Sequence, residues 1–357
     1  MKKDKILEID TKRILRITKS LWMNNNNKTF FLTGCTGFFG VWILNVFDKA
    51  IKKYKLNLKV YVLTRNKNIK KNHIYNFCEN KKIKFITGDV RNFNFPKAVK
   101  KIDFCVHGAT TKAEETFKKQ SYDLKKKIIL EGTERVLKFS KIKKCKNFFY
   151  LSSGSVYKNL NKDVNLLEKS KTHTTKKITN KDNDISVLGK SKINAEKMIK
   201  NYCKKNEISY SIGRFFTFVG PYMPMKIHYA IGNFLIAKFL KKEIKLNSSG
   251  ESMRSYMYIS DCIIYFFFIL FNQKSGATYN IGSDEKISIL ELSRLINKII
   301  PGKVDININN KDNSKSFYVP SIKKLKKSFP GFAYINLRDA IKKTFLHLKI
   351  NKRYYLR

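Results

Sequence analysis

The chain has 357 residues, 43% of them hydrophobic and 13% aromatic, enough to bury a full core in one large domain or two coupled ones. With 74 Lys and Arg against 27 Asp and Glu, its formal net charge is +47, which raises a polyanion-binding reading. The lysines are spread through every segment, without an arginine-rich arm or zinc-finger spacing, so the charge reads as a solvated surface and argues against specific nucleic-acid recognition.

In chain order, residues 5–22 carry the apolar spacing of an amphipathic helix, and a polar linker, Asn24–Asn27, follows. Strand candidates are Thr29–Thr33, Lys59–Thr64, Ile83–Thr87, Phe104–His107, Asn147–Ser152 and Tyr210–Arg214, with helices at Val41–Tyr54 and Lys125–Ser140 among the segments between them. Short apolar runs separated by helices rather than tight turns predict an α/β fold with a parallel sheet. The polar stretch 158–186 reads as an exposed loop. Beyond Gly220 the pattern becomes irregular, with helices expected at 229–241, 261–272 and 288–299. The expected organisation is an N-terminal helix and linker (1–27), a dinucleotide-binding domain (28–220) onto which 261–285 packs back, a smaller discontinuous substrate-binding region (221–345) and a basic tail (346–357).

The six cysteines (35, 78, 105, 145, 203 and 262) form no Cys-x-x-Cys pair, which argues against a disulfide framework or structural zinc and for a reducing compartment. The charged start at Lys2, Lys3, Asp4 and Lys5 is unlike a signal peptide. The most apolar run, Cys262 to Phe271, is far shorter than the roughly 20 residues that span a bilayer. A cytoplasmic protein with no membrane association and no bound metal is the expectation.

The sharpest motif is Thr33-Gly-Cys-Thr-Gly-Phe-Phe-Gly40, an apolar strand entering a loop with glycines at 34, 37 and 40 and leading into a helix. Such a loop lets backbone N–H groups and a helix N-terminus approach a pyrophosphate. Thr33, Gly34, Gly37, Phe38, Phe39 and Gly40 are therefore candidate cofactor contacts. At the end of the second strand stands Arg65, with no Asp or Glu between Val60 and Lys71; an arginine there can neutralise a ribose 2′-phosphate, which favours NADP over NAD. Asp89 and Val90 follow the third strand, where an aspartate can accept from an adenine amino group or cap a turn. Gly108, Ala109 and Thr110 close the fourth strand with small residues that leave room for a cofactor, while His107 reads as a packed strand residue.

The ordered set of these stretches resembles the extended short-chain dehydrogenase/reductase superfamily, specifically the NAD-dependent epimerase/dehydratase family acting on nucleotide sugars. To the glycine loop and Gly88-Asp-Val90 it adds Leu151-Ser-Ser-Gly-Ser-Val-Tyr157, Gly189-Lys-Ser-Lys192 with Ala195-Glu196, and Arg214 through Gly220-Pro221. Further on come Arg254-Ser-Tyr256 with Asp261, and Tyr279-Asn-Ile-Gly282. The resemblance implies a Rossmann-like doubly wound sheet, an NAD or NADP cofactor, a nucleotide-diphosphate sugar as substrate, and a homodimer through the helices beside the fourth and fifth strands. It further implies hydride transfer at a sugar carbon, C4 in the commonest chemistry, within surface-polysaccharide or deoxysugar biosynthesis. By the same resemblance Ser153 is the hydroxyl that holds the substrate oxygen, and Lys192 is the lysine that binds the nicotinamide ribose and favours a phenolate nearby. Arg254 and Asn233 correspond to contacts with the nucleotide diphosphate, and Thr111 and Tyr222 are further candidates for the sugar.

One departure stands out. The family places a tyrosine four residues before the lysine, and this chain has Leu188, which cannot carry a proton. Three readings stay open: a substitute group such as Tyr157, His173 or a water on Ser153; a reaction that needs no tyrosine; or a noncatalytic, cofactor-binding homologue. A basic polyanion-binding protein is the reading from a different class.

Overall fold

The computed structural model describes residues 4–68, 80–110, 122–157, 186–225, 229–309 and 315–355. Its centre is a seven-stranded, wholly parallel sheet built from β1 (Thr29–Thr33), β2 (Lys59–Thr64), β3 (Ile83–Thr87), β4 (Phe104–His107), β5 (Asn147–Ser153), β6 (Ser209–Phe215) and, later in the chain, Ala277–Ile281. Numbered through the chain, the short strands between are β7 (Phe218–Val219), β8 (Ile244–Leu246), β9 (Met253–Arg254) and β10 (Met257–Tyr258), so that Ala277–Ile281 is β11. The spatial order β11-β6-β5-β4-β1-β2-β3 reverses direction between β4 and β1, the point at which such sheets bind ligands beyond the carboxyl ends of their strands. This is the expected Rossmann-like architecture.

The strands read as unbroken apolar runs because both faces of the sheet are covered. Phe30, Phe31 and Leu32 are each fully buried, with Phe30 and Leu32 packed in one core and Phe31 in the other. Helices Phe38–Lys53 and Ile259–Phe271 belong to the first core, and helices Tyr122–Ile142 and Val187–Lys205 pack together over the second. The run at Cys262–Phe271 is thus a core helix, and among the described residues no helix is long and apolar enough to cross a membrane.

One local detail differs from the expected pattern. The helix anticipated over 5–22 breaks at Thr18 into Lys5–Ile17 and Lys19–Met23. The Thr18 hydroxyl donates back to the Ile14 carbonyl at 2.8 Å and accepts from the Trp22 indole at 3.0 Å, local bonding that competes with helix propagation. The break seats Trp22 among Phe47, Phe267 and Phe271, so this segment is core rather than appendage. The expected loop at 158–186 lies outside the described residues except Ser186, whose side chain caps helix Val187–Lys205 by accepting from Gly189 N–H at 3.1 Å.

Three small sheets complete the fold. Strand β12 (Ile287–Ser288), β9 and β14 (Phe317–Tyr318) form one of them, in the order β12-β9-β14. Strands β10 and β7 form a parallel pair, and β13 (Ile306–Ile308) pairs with β8.

Candidate functional site

The site is built on the carboxyl ends of β1, β4 and β5, which lie side by side. Gly34 follows β1 with φ +73°, and a Cβ there would overlap the backbone of Gly108 and Ala109 beyond β4. Gly40 is pressed in the same way against the backbone of Cys35. Gly37, the residue capping helix Phe38–Lys53, meets nothing within 4 Å of where a Cβ would stand. The loop is therefore tight on its protein side and open at its middle glycine, beside the N-terminus of a 16-residue helix whose first N–H groups lack a side-chain cap. That shape fits a pyrophosphate. Phe38 and Phe39 are half-buried, and Phe39 packs edge-on against Phe215 and Phe218 at 5.4 and 5.2 Å.

Thr33 is fully buried, its hydroxyl bonded to His107 Nδ1 at 2.7 Å; His107 Nε2 bonds the Thr133 hydroxyl at 3.0 Å. These bonds lock the ends of β1 and β4 together beneath the glycine loop. His107 is a packed core residue, pushed down to about 3 by burial and secondarily by the Lys192 charge. Because the unfolded chain takes up this proton first, the stabilisation from neutral His107 is complete above about pH 6.5 and is lost as pH falls toward 3. Between about pH 7 and 4, wild type is expected to lose about 3 kcal/mol more unfolding free energy than His107→Gln, read by urea titration at each pH.

At the far edge, Arg65 is exposed at the end of β2, and its charge helps hold the Asp89 carboxylate below its usual range. The larger cause is Arg91, whose guanidinium donates to Asp89 at 2.9 and 3.0 Å. Val90 is buried against Gly132 of helix Tyr122–Ile142, where a Cβ would come within 2.8 Å of it. Gly108, Ala109 and Thr110 run from half-buried through buried to exposed as the chain leaves β4.

Lys192 lies on helix Val187–Lys205, nearly inaccessible, and donates to the Leu151 carbonyl of β5 at 2.9 Å while its ammonium stands 4.7 Å from the Tyr150 ring centroid. Burial pushes it down to about 8, with the charge of Glu196 opposing. Leu188 is half-buried against the apolar cluster of that face. Ser153 ends β5, and its hydroxyl accepts from Ser155 N–H at 3.1 Å.

Tyr157 is not a free substitute for the family tyrosine. Its hydroxyl donates to Asn280 at 2.8 Å and accepts from Arg214 at 3.0 Å, so its one donor hydrogen is used within the protein. Arg214 in turn grips Glu196 at 3.1 and 2.7 Å, and Glu196 also accepts from Ser152 at 2.6 Å. Burial works against the Arg214 charge, and Glu196 more than offsets it. Glu196, Arg214 and Asn280, each inside a stretch that matches the family pattern, form one network with Ser152 and Tyr157 that their spacing along the chain does not announce. His173 and Thr111 lie outside the described residues.

On the substrate side, Arg254 of β9 is partly buried and donates to the Ser316 carbonyl and hydroxyl at 3.1 and 2.9 Å. Asn233 is exposed on helix Ala230–Phe239. Tyr222 is no free sugar contact either. It is buried with φ +69°, and its hydroxyl donates to Asp4 at 2.8 Å; Asp4 is itself bonded to His347 at 2.8 Å. The Tyr355 hydroxyl accepts from Tyr222 N–H at 2.7 Å, tying helix Lys352–Tyr355 to this turn. Tyr318, which no local motif marks, brings its hydroxyl within 2.5 Å of where a Cβ on Gly154, the residue after Ser153, would stand.

Among relatives, a dTDP-D-glucose 4,6-dehydratase of Dictyostelium discoideum is 29% identical over 289 residues, covering 77% of this chain and 63% of its own length. The fold is that of the UDP-glucuronic acid 4-epimerase of Bacillus cereus, solved with UDP-glucuronic acid and NAD (TM-score 0.72, 21% identity, 90% of this chain and 99% of that one). It is also that of the dTDP-glucose 4,6-dehydratase of Bacillus anthracis, solved with NAD (TM-score 0.72, 19% identity, 92% and 99%). The profile of the NAD dependent epimerase/dehydratase family matches residues 30–282, from the first strand through the last strand of the sheet, and the chain belongs to that family.

Proposed function

We propose that this protein binds NAD or NADP across the glycine loop and transfers hydride at a sugar carbon, C4, of a nucleotide-diphosphate sugar, as an epimerase, dehydratase or ketosugar reductase serving surface-polysaccharide or deoxysugar synthesis. The observation that carries this reading is the loop itself, packed at Gly34 and Gly40, open at Gly37, and set beside the strand ends that carry Ser153 and the Lys192 contact. Thr33 to Gly40 and Gly108 to Thr110 would hold the dinucleotide, with Asp89 and Val90 toward adenine and Arg65 toward a 2′-phosphate, which favours NADP. The bound nicotinamide supplies or accepts the hydride. Ser153 holds the sugar oxygen, Lys192 holds the nicotinamide ribose, and Arg254 with Asn233 receives the diphosphate, a planar fork suiting phosphate oxygens. The smaller region 221–345 and a homodimer through helices Tyr122–Ile142 and Val187–Lys205 belong to the same proposal.

The second reading, a noncatalytic cofactor-binding homologue, is favoured by Leu188 alone, because loss of a general acid or base costs about 10²–10⁴-fold. Incubating the full chain with NAD or NADP and a panel of UDP- and dTDP-sugars, and identifying products by mass and NMR, separates the two. Conversion of at least one sugar nucleotide is expected. Cofactor binding with no conversion across the panel would establish the noncatalytic reading.

A further inference from the structure

Resting on that reading, we propose that Tyr318 donates the proton to the reacting sugar oxygen, in place of the tyrosine that Leu188 excludes. Tyr318 lies on β14, where it is the parallel register partner of Arg254 on β9. Its flanking residues Phe317 and Val319 are buried, and its ring rests on Phe216 with centroids 4.9 Å apart. The hydroxyl thus held comes within 2.5 Å of where a Cβ on Gly154 would stand, next to Ser153 at the end of β5. Any side chain at 154 would meet this hydroxyl and the Phe216 ring. Ser316, the residue before this strand, receives the Arg254 guanidinium through its carbonyl and its hydroxyl. One small sheet therefore joins a cation suited to a diphosphate with a phenol set beside the serine at the end of β5.

The chemistry of this phenol is that of a donor. Burial raises Tyr318 above the ordinary phenol range, with the nearby Ser153 hydroxyl only opposing, so it keeps its proton through neutral pH. Lys192 is held on the Leu151 carbonyl instead of beside a phenolate. In the step assigned to Tyr318, a sugar carbonyl is reduced: hydride from the reduced nicotinamide is added at carbon and the C=O π pair moves onto oxygen. The Tyr318 O–H bond breaks as an O–H bond forms on the sugar, and water reprotonates the phenolate. A retained proton suits this direction, the reduction of a ketosugar, better than the removal of a proton from a sugar hydroxyl.

Tyr318→Phe keeps the ring on Phe216 and removes only the hydroxyl. Calorimetric titration with UDP-glucuronic acid and with UDP alone is expected to show affinity for the sugar nucleotide lowered about tenfold and affinity for UDP unchanged. With a UDP-4-keto-sugar and reduced cofactor, kcat should fall about 10²–10⁴-fold, and the solvent deuterium isotope effect on the wild-type kcat should disappear. Equal losses for UDP and the sugar nucleotide would mark a structural role and overturn the proposal. Wild-type kcat in Tyr318→Phe would overturn it while leaving the functional reading standing. No conversion by wild type in either direction would remove the functional reading, and the proposal with it.

Discussion

Glu196→Ala is expected to lower the unfolding free energy by about 3–5 kcal/mol, because it strands the Arg214 guanidinium in the interior without its partner. Both side chains are only 6% exposed, so water cannot take over the lost contacts. The change also removes the acceptor of the Ser152 hydroxyl and loosens the guanidinium that donates to Tyr157. Arg214→Met should cost a similar amount. Combining Glu196→Ala with Arg214→Met should cost less than the two single changes together, since no isolated charge is then left inside. Urea unfolding of the four proteins measures this directly. Additive losses would show that Glu196 and Arg214 do not act as a pair.

Gly34→Ala carries the second large effect. The residue has φ +73°, and the added methyl would overlap the Gly108 and Ala109 backbone, which has no rotamer to turn away. Left-handed backbone alone costs about 1–2 kcal/mol for a residue with a Cβ, and the overlap forces the ends of β1 and β4 apart. A total loss of roughly 3 kcal/mol or more and the disappearance of cofactor binding are expected. Gly37→Ala is the matched control, because a Cβ there meets nothing within 4 Å. It should unfold like wild type yet bind the dinucleotide about tenfold more weakly, the methyl occupying ligand space. If Gly37→Ala binds as wild type does, the open face of the loop is not where the pyrophosphate lies.

Six sheet strands could be read from the sequence because a parallel sheet covered on both faces writes itself as short apolar runs, such as Phe30-Phe31-Leu32 and Val60-Tyr61-Val62-Leu63. The glycine loop was legible for a related reason: its spacing encodes a backbone requirement that local sequence alone imposes. Contacts between distant segments were not. Nothing near Thr18 announces that its hydroxyl would turn the first helix toward Trp22 and the aromatic cluster of Phe267 and Phe271. Tyr222 looked available to a sugar until the fold brought Asp4, His347 and Tyr355 around it from the two ends of the chain. Tyr318 carries no local signal either, since its place beside Gly154 comes from the pairing of β14 with β9.

The central claim is hydride transfer between a sugar carbon and the nicotinamide, observable in either direction, in a chain that has Leu188 where its family has tyrosine. The most direct measurement uses nucleotide sugars deuterated at C4, mixed with the full chain and oxidised cofactor, quenched within a single turnover, and followed by mass analysis of the nicotinamide. Deuterium on the nicotinamide from at least one sugar is the expected result. Saturating binding of both cofactor and sugar nucleotide, with no deuterium transferred from any of them, would contradict it.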